Sequence, residues 1–332
     1  MKLLMIVFCC CTQILVGQTK PAWVDNPQSK YSNDLYLTAL GLGDTRKAAE
    51  EQASANLSMI FEATIKAQST VNEDIQEKIS GGNNFMERRS QISKKVILES
   101  EQTLYNVQYT DNYVDPQGRN YVLAILNRYE TSAIYKQKIA DNGWVVQADV
   151  AKSDSLQDLL QKYAWIDAAV TLAQKNDALL KQLQIIDVGT KKSIELPYYY
   201  QNLISSYAKT KQRITFAVTI SNDEDQNITE TMKKLLTSQG FILNEKPLLR
   251  VIGKLGFEDV VLERPEKFVR WRYAISILDN QNATLLTLTE SGREGHISKE
   301  EAQARAIRTM KAKLETNFIK KLNDYVDGIL KK

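Results

Sequence analysis

The sequence predicts an α+β protein in which two small β-sheet and helix domains are joined by a helical connector. Strand patterns and helical stripes occur together in residues 21–145 and again in residues 210–332. Between them, residues 150–205 have mainly helical spacing. The 332 residues are 43% hydrophobic and 25% charged, an ordinary globular composition that suits about two domains of ~100–200 residues each.

Residues 1–17 are predicted to be a cleavable signal peptide. Lys2 precedes an apolar run that ends at Val16. This run is shorter than the ~20 residues of a membrane-spanning helix. We expect cleavage between Gly17 and Gln18, and the alternative is an anchor that stays uncleaved.

The three cysteines of the chain lie inside the predicted signal, at Cys9, Cys10 and Cys11. None of them follows a small residue, so a lipoprotein signal is possible but poorly supported. Removal of the signal would leave a mature chain without cysteine. Such a chain has no disulfides, no thiol catalysis and no thiolate metal site.

The first domain is predicted to begin with a strand and a long helix. Leu35–Leu42 has strand character, and from Thr45 apolar residues recur at spacings of three and four. The polar stretch Asn72–Arg89 predicts a flexible connection. The expected core combines alternate strand positions with the helical stripe, and consists of Leu37, Leu57, Ile60, Phe61, Val107, Val122 and Ile125.

A hairpin and a helix are predicted to complete this domain. Val96–Tyr109 and Asn120–Leu126 have strand patterns. Asp115–Gly118 is expected to be the turn between them, because proline presets φ and glycine accepts an unusual dihedral. With a helix over residues 129–142, the order becomes β-α-β-β-α, with the helices on one face of the sheet.

Residues 153–186 contain neither proline nor glycine, which predicts one or two connector helices. In the second domain we expect a strand at Ile214–Ile220, a helix at Ile228–Ser238 and a final helix capped by Ser298 with Glu301. Three further strands are predicted at Leu248–Phe257, Phe268–Leu278 and Thr284–Thr289. The expected core is Phe216, Val218, Leu235, Val251, Ile275, Ile277, Leu314 and Phe318.

Three segments of the first domain resemble the LPP20 family of bacterial envelope proteins, many of which are lipoproteins. They are the run at Pro21–Val24, the strand and glycine turn at Ala39–Asp44, and the alanine-rich helix at Arg46–Ile65. The same fold resembles the N-terminal domain of flagellar assembly protein T. The resemblance covers roughly residues 21–145 and implies an α+β fold without catalytic residues.

The sequence provides no recognisable catalytic, cofactor-binding or metal-binding residues. His296 is the single histidine, and we expect it in a polar turn, away from any Gly-x-Ser-x-Gly nucleophile motif. Zinc sites need several histidine or cysteine ligands, so they are excluded. The chain is therefore predicted not to be an enzyme.

Three weaker motifs have simpler structural explanations. The glycine turn at Gly41 resembles a dinucleotide loop, but Arg46 stands where the third glycine belongs. Asn222–Asn227 alternates acids like a calcium loop without its glycine and distal glutamate, so an acidic helix N-terminus is expected. Arg270–Tyr273 alternates cations and aromatic rings, which favours an exposed sheet face over nucleic-acid stacking.

These observations predict a non-enzymatic exported protein of the periplasm or outer envelope, acting as a structural or protein-binding module in a surface or motility assembly. Other envelope proteins are the expected partners, together with the outer membrane or cell wall. The 43 Lys and Arg against 40 Asp and Glu give no reason to expect nucleic-acid binding. The alternatives are an enzyme that acts on cell wall or glycan through carboxylates, and a small-ligand binding domain.

Overall fold

The computed structural model describes residues 19–77, 103–110, 112–261, 263 and 265–331. The predicted signal peptide therefore lies outside the described residues. The chain divides into two compact units. Unit 1 comprises the chain to Thr64 and Leu104–Ala133, and unit 2 comprises Ile65–Thr103 and Ile134–Lys332. Each unit contains a β-sheet and helices, so the predicted α+β class is confirmed. The predicted domain boundaries stay a prediction.

Unit 1 is built on an antiparallel sheet with β4 at its centre. β1 pairs with β4 along its whole length, and β2 and β3 pair with the other edge of β4. The elements that lie in unit 1 or begin in it are α1 (Ala22–Asp25), a 3-10 turn (Pro27–Ser29), β1 (Tyr36–Gly43), α2 (Arg46–Glu77), β2 (Gln108–Tyr109), β3 (Tyr113–Val114) and β4 (Asn120–Asn127).

The α2 backbone lies directly against β1. A Cβ atom built on Gly41 would be 2.0 Å from the carbonyl oxygen of Ala49 and 2.3 Å from the backbone nitrogen of Ala53. Both alanines are fully buried. The Oγ1 atom of Thr45 accepts a hydrogen bond from the N–H of Ala48 at 3.2 Å, so α2 begins where the sequence predicts.

The buried stripe of α2 is narrower than predicted. Leu57 and Phe61 are fully buried as expected, whereas Ile60 is 42% exposed and its predicted core position is wrong. Ile60 is three residues from Leu57 and lies at the edge of a stripe that otherwise repeats every fourth residue. The helix also continues through residues 72–77, where a flexible connection was predicted, and 78–89 lie outside the described residues.

The predicted turn at Asp115–Gly118 is confirmed. Gly118 has a φ of +83°, and its N–H donates to the carbonyl oxygen of Asp115. The strand before it is shorter than predicted, because in residues 103–109 only β2 is extended. Asn106 has a φ of +59°, which interrupts the extended backbone there. Residues 96–102 lie outside the described part of the chain.

Four successive helices lead into unit 2: α3 (Arg128–Ser155), α4 (Leu159–Ile186), α5 (Val188–Lys192) and α6 (Tyr200–Gln212). A buried polar contact joins α3 to α4. The amide nitrogen of Asn176 donates to the carbonyl oxygen of Ile139 at 3.0 Å, and its oxygen accepts from Asn142 at 3.0 Å. The predicted connector is thus helical, and its residues belong to the compact cluster of unit 2.

The sheet of unit 2 has the strand order β6-β5-β7-β8-β9. β5 runs parallel to β6 and β7, and the other neighbours are antiparallel. Its strands and flanking helices are β5 (Thr215–Ser221), α7 (Asn227–Ser238), β6 (Ile242–Leu243), β7 (Leu249–Val260), β8 (Lys267–Leu278), β9 (Thr284–His296) and α8 (Lys299–Ile329).

The core of unit 2 follows the prediction. Phe216, Val251, Ile275, Ile277, Leu314 and Phe318 are at most 1% exposed. Val218 and Leu235 are partly buried and pack against the same cluster. The Oγ atom of Ser298 accepts a hydrogen bond from the N–H of Glu301 at 3.3 Å, so the predicted cap of α8 is confirmed. One long helix is thereby fixed across one face of the sheet.

Candidate functional site

His296 ends β9 and pairs with Lys267, so its predicted place in a polar turn is wrong. The strand is longer than predicted because β8 continues beside it to this residue. The Nδ1 atom of His296 accepts a hydrogen bond from the N–H of Ser298 at 3.4 Å. Within the described ranges, no group of three or more His, Cys, Asp and Glu side chains is placed to hold a metal ion.

The glycine turn of unit 1 is filled by protein. The close approach of α2 to Gly41 occupies the space that a pyrophosphate would need. A Cβ atom on Gly43 would likewise be 2.6 Å from the backbone nitrogen of Ala49. These two glycines therefore permit contact between a strand and a helix.

The acidic segment Asn222–Asn227 caps α7. The Oδ2 atom of Asp223 accepts hydrogen bonds from the N–H of Ile228 at 3.0 Å and of Thr229 at 2.7 Å. It also accepts from the Thr229 hydroxyl at 2.8 Å. The carboxylate is thus committed to the first turn of the helix, as the sequence predicts for an acidic N-terminus.

The segment Arg270–Tyr273 divides between the two faces of the sheet. Trp271 and Tyr273 are each 1% exposed and stack at 6.2 Å, while the two arginines are exposed. The rings are therefore buried and cannot stack on nucleic-acid bases. Among the described residues, the Trp271 Nε1 and Tyr273 hydroxyl atoms have no hydrogen-bond partner, and Gly292 leaves room for the indole ring.

A cleft of about 910 Å³ opens in unit 2, and it is the candidate functional site. The end of α3, the start of α4, the end of α8, the start of β7 and the β8–β9 turn form its walls. Leucines, isoleucine and aromatic residues are the most numerous lining residues, but polar atoms form slightly more of the exposed cleft surface than apolar atoms. Amides and three charged groups also line the cleft. The lining includes Lys152, Leu156, Asp158, Leu159, Leu160, Gln161, Trp165, Leu248, Asp279, Asn280, Gln281, Leu285, Tyr325, Ile329 and Leu330.

Both carboxylates of the cleft support local structure. Asp158 caps α4 by accepting a hydrogen bond from the N–H of Gln161 at 2.8 Å. Asp279 closes the β8–β9 turn by accepting from the N–H groups of Gln281 and Ala283, each at 2.8 Å. One oxygen of each carboxylate is thus committed to backbone N–H groups.

The only tyrosine among the cleft residues keeps its proton. Burial raises the pKa of Tyr325, and the negative charges of Asp158 and Asp279 raise it further. The hydroxyl is therefore a neutral hydrogen-bond donor and acceptor at physiological pH. A cleft with both polar and apolar surface suits a ligand that carries both kinds of group.

Sequence reasoning missed this cleft because its lining comes from five separate segments. Leu156 and Leu330 lie more than 170 residues apart in the sequence and line the same cleft. Each of these side chains fits a helical stripe, which predicts burial against the domain core. Only the tertiary structure distinguishes them from core residues, because they remain partly exposed where helix ends meet.

The first unit matches a known family, described as the LPP20 lipoprotein, over residues 21–127. The LPP20 match agrees with the resemblance seen in the sequence and with an exported envelope protein. The expected similarity to flagellar assembly protein T stays a prediction. Among the described helices, none has the length and apolar character required to cross a membrane.

Three solved structures are similar to this chain. The secreted protein HP1454 from Helicobacter pylori has a TM-score of 0.45 at 14% identity, covering 84% of this chain and 96% of that one. A minor lipoprotein from Acinetobacter baumannii has a TM-score of 0.24 at 13% identity, covering 32% of this chain and 92% of that one. A putative lipoprotein from Caulobacter crescentus has a TM-score of 0.23 at 13% identity, covering 34% of this chain and 96% of that one. No curated relative matches the chain.

Proposed function

We propose that this chain is a non-enzymatic exported envelope protein that binds a segment of another envelope protein in the cleft of unit 2. The LPP20 match of unit 1 supports the envelope location. The cleft carries the proposal of binding, because it combines apolar side chains with polar hydrogen-bonding groups, and each of its two carboxylates accepts hydrogen bonds from backbone N–H groups.

The cleft lining suits a peptide with two or three apolar side chains. Leu156 and Trp165 are partly exposed and give such side chains an apolar contact surface. Gln161, Asn280 and Gln281 provide amides that can pair with the backbone of the bound segment. Asp158 and Asp279 outnumber Lys152, which favours a neutral or weakly basic segment.

A small apolar ligand is the second candidate occupant. The volume of about 910 Å³ lies inside the ~300–1,000 Å³ range of small-molecule sites. The glycan-active enzyme is less favoured, since the two cleft carboxylates hold a helix cap and a turn.

Crosslinking in living cells tests the occupant. A photoreactive phenylalanine analogue replaces Trp165 in the cleft, and in a control protein it replaces Val188, which is 46% exposed in the same unit. We expect a discrete protein adduct from position 165 only, and we expect Leu156→Lys to abolish it. Equal adducts at both positions would contradict the proposal. An adduct with a small molecule alone would favour the second candidate.

Export is tested separately by N-terminal sequencing of the envelope fraction. We expect a mature chain that begins at Gln18, because Lys2 and the apolar run precede Gly17 in the layout of a signal peptide. Mass spectrometry of the same sample distinguishes a lipidated Cys9, Cys10 or Cys11. An intact Met1 on soluble cytoplasmic protein would refute export.

A further inference from the structure

The sheet of unit 2 has one covered face and one open face. Along β8, Val269, Trp271, Tyr273, Ile275 and Ile277 are buried in the core. The alternate positions Arg270, Arg272 and Ala274 are exposed. Because side chains alternate across a strand, the residues paired with these positions lie on the same open face.

The strand register gathers cations on this open face. β7 contributes Arg250 and Lys254, β8 contributes Arg270 and Arg272, and β9 contributes Arg293. Glu258 is the one acid at the open-face positions of these three strands. The excess of four positive charges on the face is larger than the net charge of +3 carried by the whole chain. Positive charge is therefore concentrated on this face rather than spread over the protein.

Two arginines of the face lie directly opposite each other. Arg270 pairs in register with Arg293 of the neighbouring strand, and like charges at such positions are destabilising. The Glu258 carboxylate, which is in register with Arg270, forms its ion pair with Arg272 at 3.5 Å. The Arg293 guanidinium lies 5.3 Å from the ring centre of Phe268. An anionic surface above the face would relieve the repulsion between Arg270 and Arg293.

The cations of the face are spread along the strands and do not converge on one point. Gly256 leaves space for the Arg272 side chain, which would lie 2.9 Å from a Cβ atom there, and Gly295 leaves space for the Phe268 ring. At ~3.4 Å per residue, the distance from Arg250 to Glu258, eight positions further along the strand, is roughly 27 Å. Such an arrangement meets many separate anionic groups rather than enclosing one anion.

We propose that the open face of the unit 2 sheet docks on a membrane surface rich in anionic phospholipids. This inference goes beyond the proposed binding of a protein segment in the cleft. Each cation near such a surface contributes roughly a fivefold increase in affinity. Trp271 and Tyr273 are turned into the core, so base stacking does not compete as an explanation. Ile252 is 42% exposed among the cations and adds an apolar contact.

Vesicle flotation of the mature chain tests the docking surface. The probes are vesicles of phosphatidylcholine alone and vesicles with equal parts of phosphatidylcholine and phosphatidylglycerol. We expect binding only to the anionic vesicles, and weaker binding as salt is raised. The double variant Arg270→Glu with Arg293→Glu should bind at least tenfold more weakly, because two attractive charges become repulsive.

The control makes the same change of charge elsewhere in unit 2. Lys209→Glu with Lys234→Glu alters two exposed helix residues and should leave vesicle binding within about twofold. Circular dichroism establishes that both double variants are folded. Equal losses in the two variants, or equal binding to both vesicle types, would overturn the proposal. Binding to a polyglutamate peptide without binding to anionic vesicles would also overturn it, and would indicate an acidic protein partner.

Discussion

Replacing Leu314 with alanine should strongly destabilise unit 2. Leu314 lies on α8 and is fully buried against the sheet. Loss of three buried carbon groups at about 0.8 kcal/mol each removes roughly 2.4 kcal/mol. A residual cavity of ~60 Å³ at about 24 cal/mol per Å³ adds roughly 1.5 kcal/mol. We therefore expect the free energy of unfolding of unit 2 to fall by about 4 kcal/mol, within the ~2–5 kcal/mol range of such substitutions.

Urea denaturation followed by circular dichroism measures this loss. The matched control is Leu243→Ala, because Leu243 is 36% exposed in the same unit and should cost less than about 1 kcal/mol. Limited proteolysis reports whether unit 1 remains folded when unit 2 is weakened. Equal effects of Leu314→Ala and Leu243→Ala would refute the assigned core. If both units unfold in one shifted transition, the expectation that unit 1 remains folded without unit 2 is refuted.

Three further outcomes are expected. Gly41→Ala should lower the free energy of unfolding by the ~1–3 kcal/mol of an overpacked site, and the melting temperature with it, because its Cβ meets the α2 backbone; Gly328→Ala, with open space around it, is the matched control. Asp115→Ala should destabilise at neutral pH. Burial raises the Asp115 pKa, but hydrogen bonds from Arg119 and Tyr121 outweigh this effect, so the pKa lies below the ordinary value of 3.8. The carboxylate therefore stabilises the fold above pH 3.8, and this stabilisation is lost as the pH falls through the lowered pKa. Melting curves recorded against pH would show this loss. His296→Ala should change stability by less than ~0.5 kcal/mol and leave vesicle binding unchanged; a larger effect in either assay would make His296 a functional residue.

Local chemistry explains which elements the sequence predicts well. The cap at Ser298 and the stripe through Leu314 and Phe318 depend on residues three or four positions apart, and both are confirmed. The prediction for Ile60 is wrong because periodicity defines a stripe but not its width. The width depends on how closely the neighbouring strand approaches, and this distance is set at Gly41.

The two candidate binding surfaces depend on tertiary structure. Arg270 and Arg293 become neighbours only through the β8–β9 register, and a shift by one residue would place them on opposite faces of the sheet. Similarly, Leu156 and Tyr325 share the cleft because two helix ends meet there. Residue patterns along the chain do not encode these distances, so neither surface could be located from sequence alone.

The buried Trp271 gives unit 2 an intrinsic optical reporter. Indole emission moves to longer wavelength when water solvates the ring, and the Trp271 ring is only 1% exposed. Trp144, by contrast, is 64% exposed and reports the solvent. A variant that keeps Trp271 as its single tryptophan would therefore report, by its fluorescence wavelength and without an attached dye, when water first reaches the inner face of this sheet.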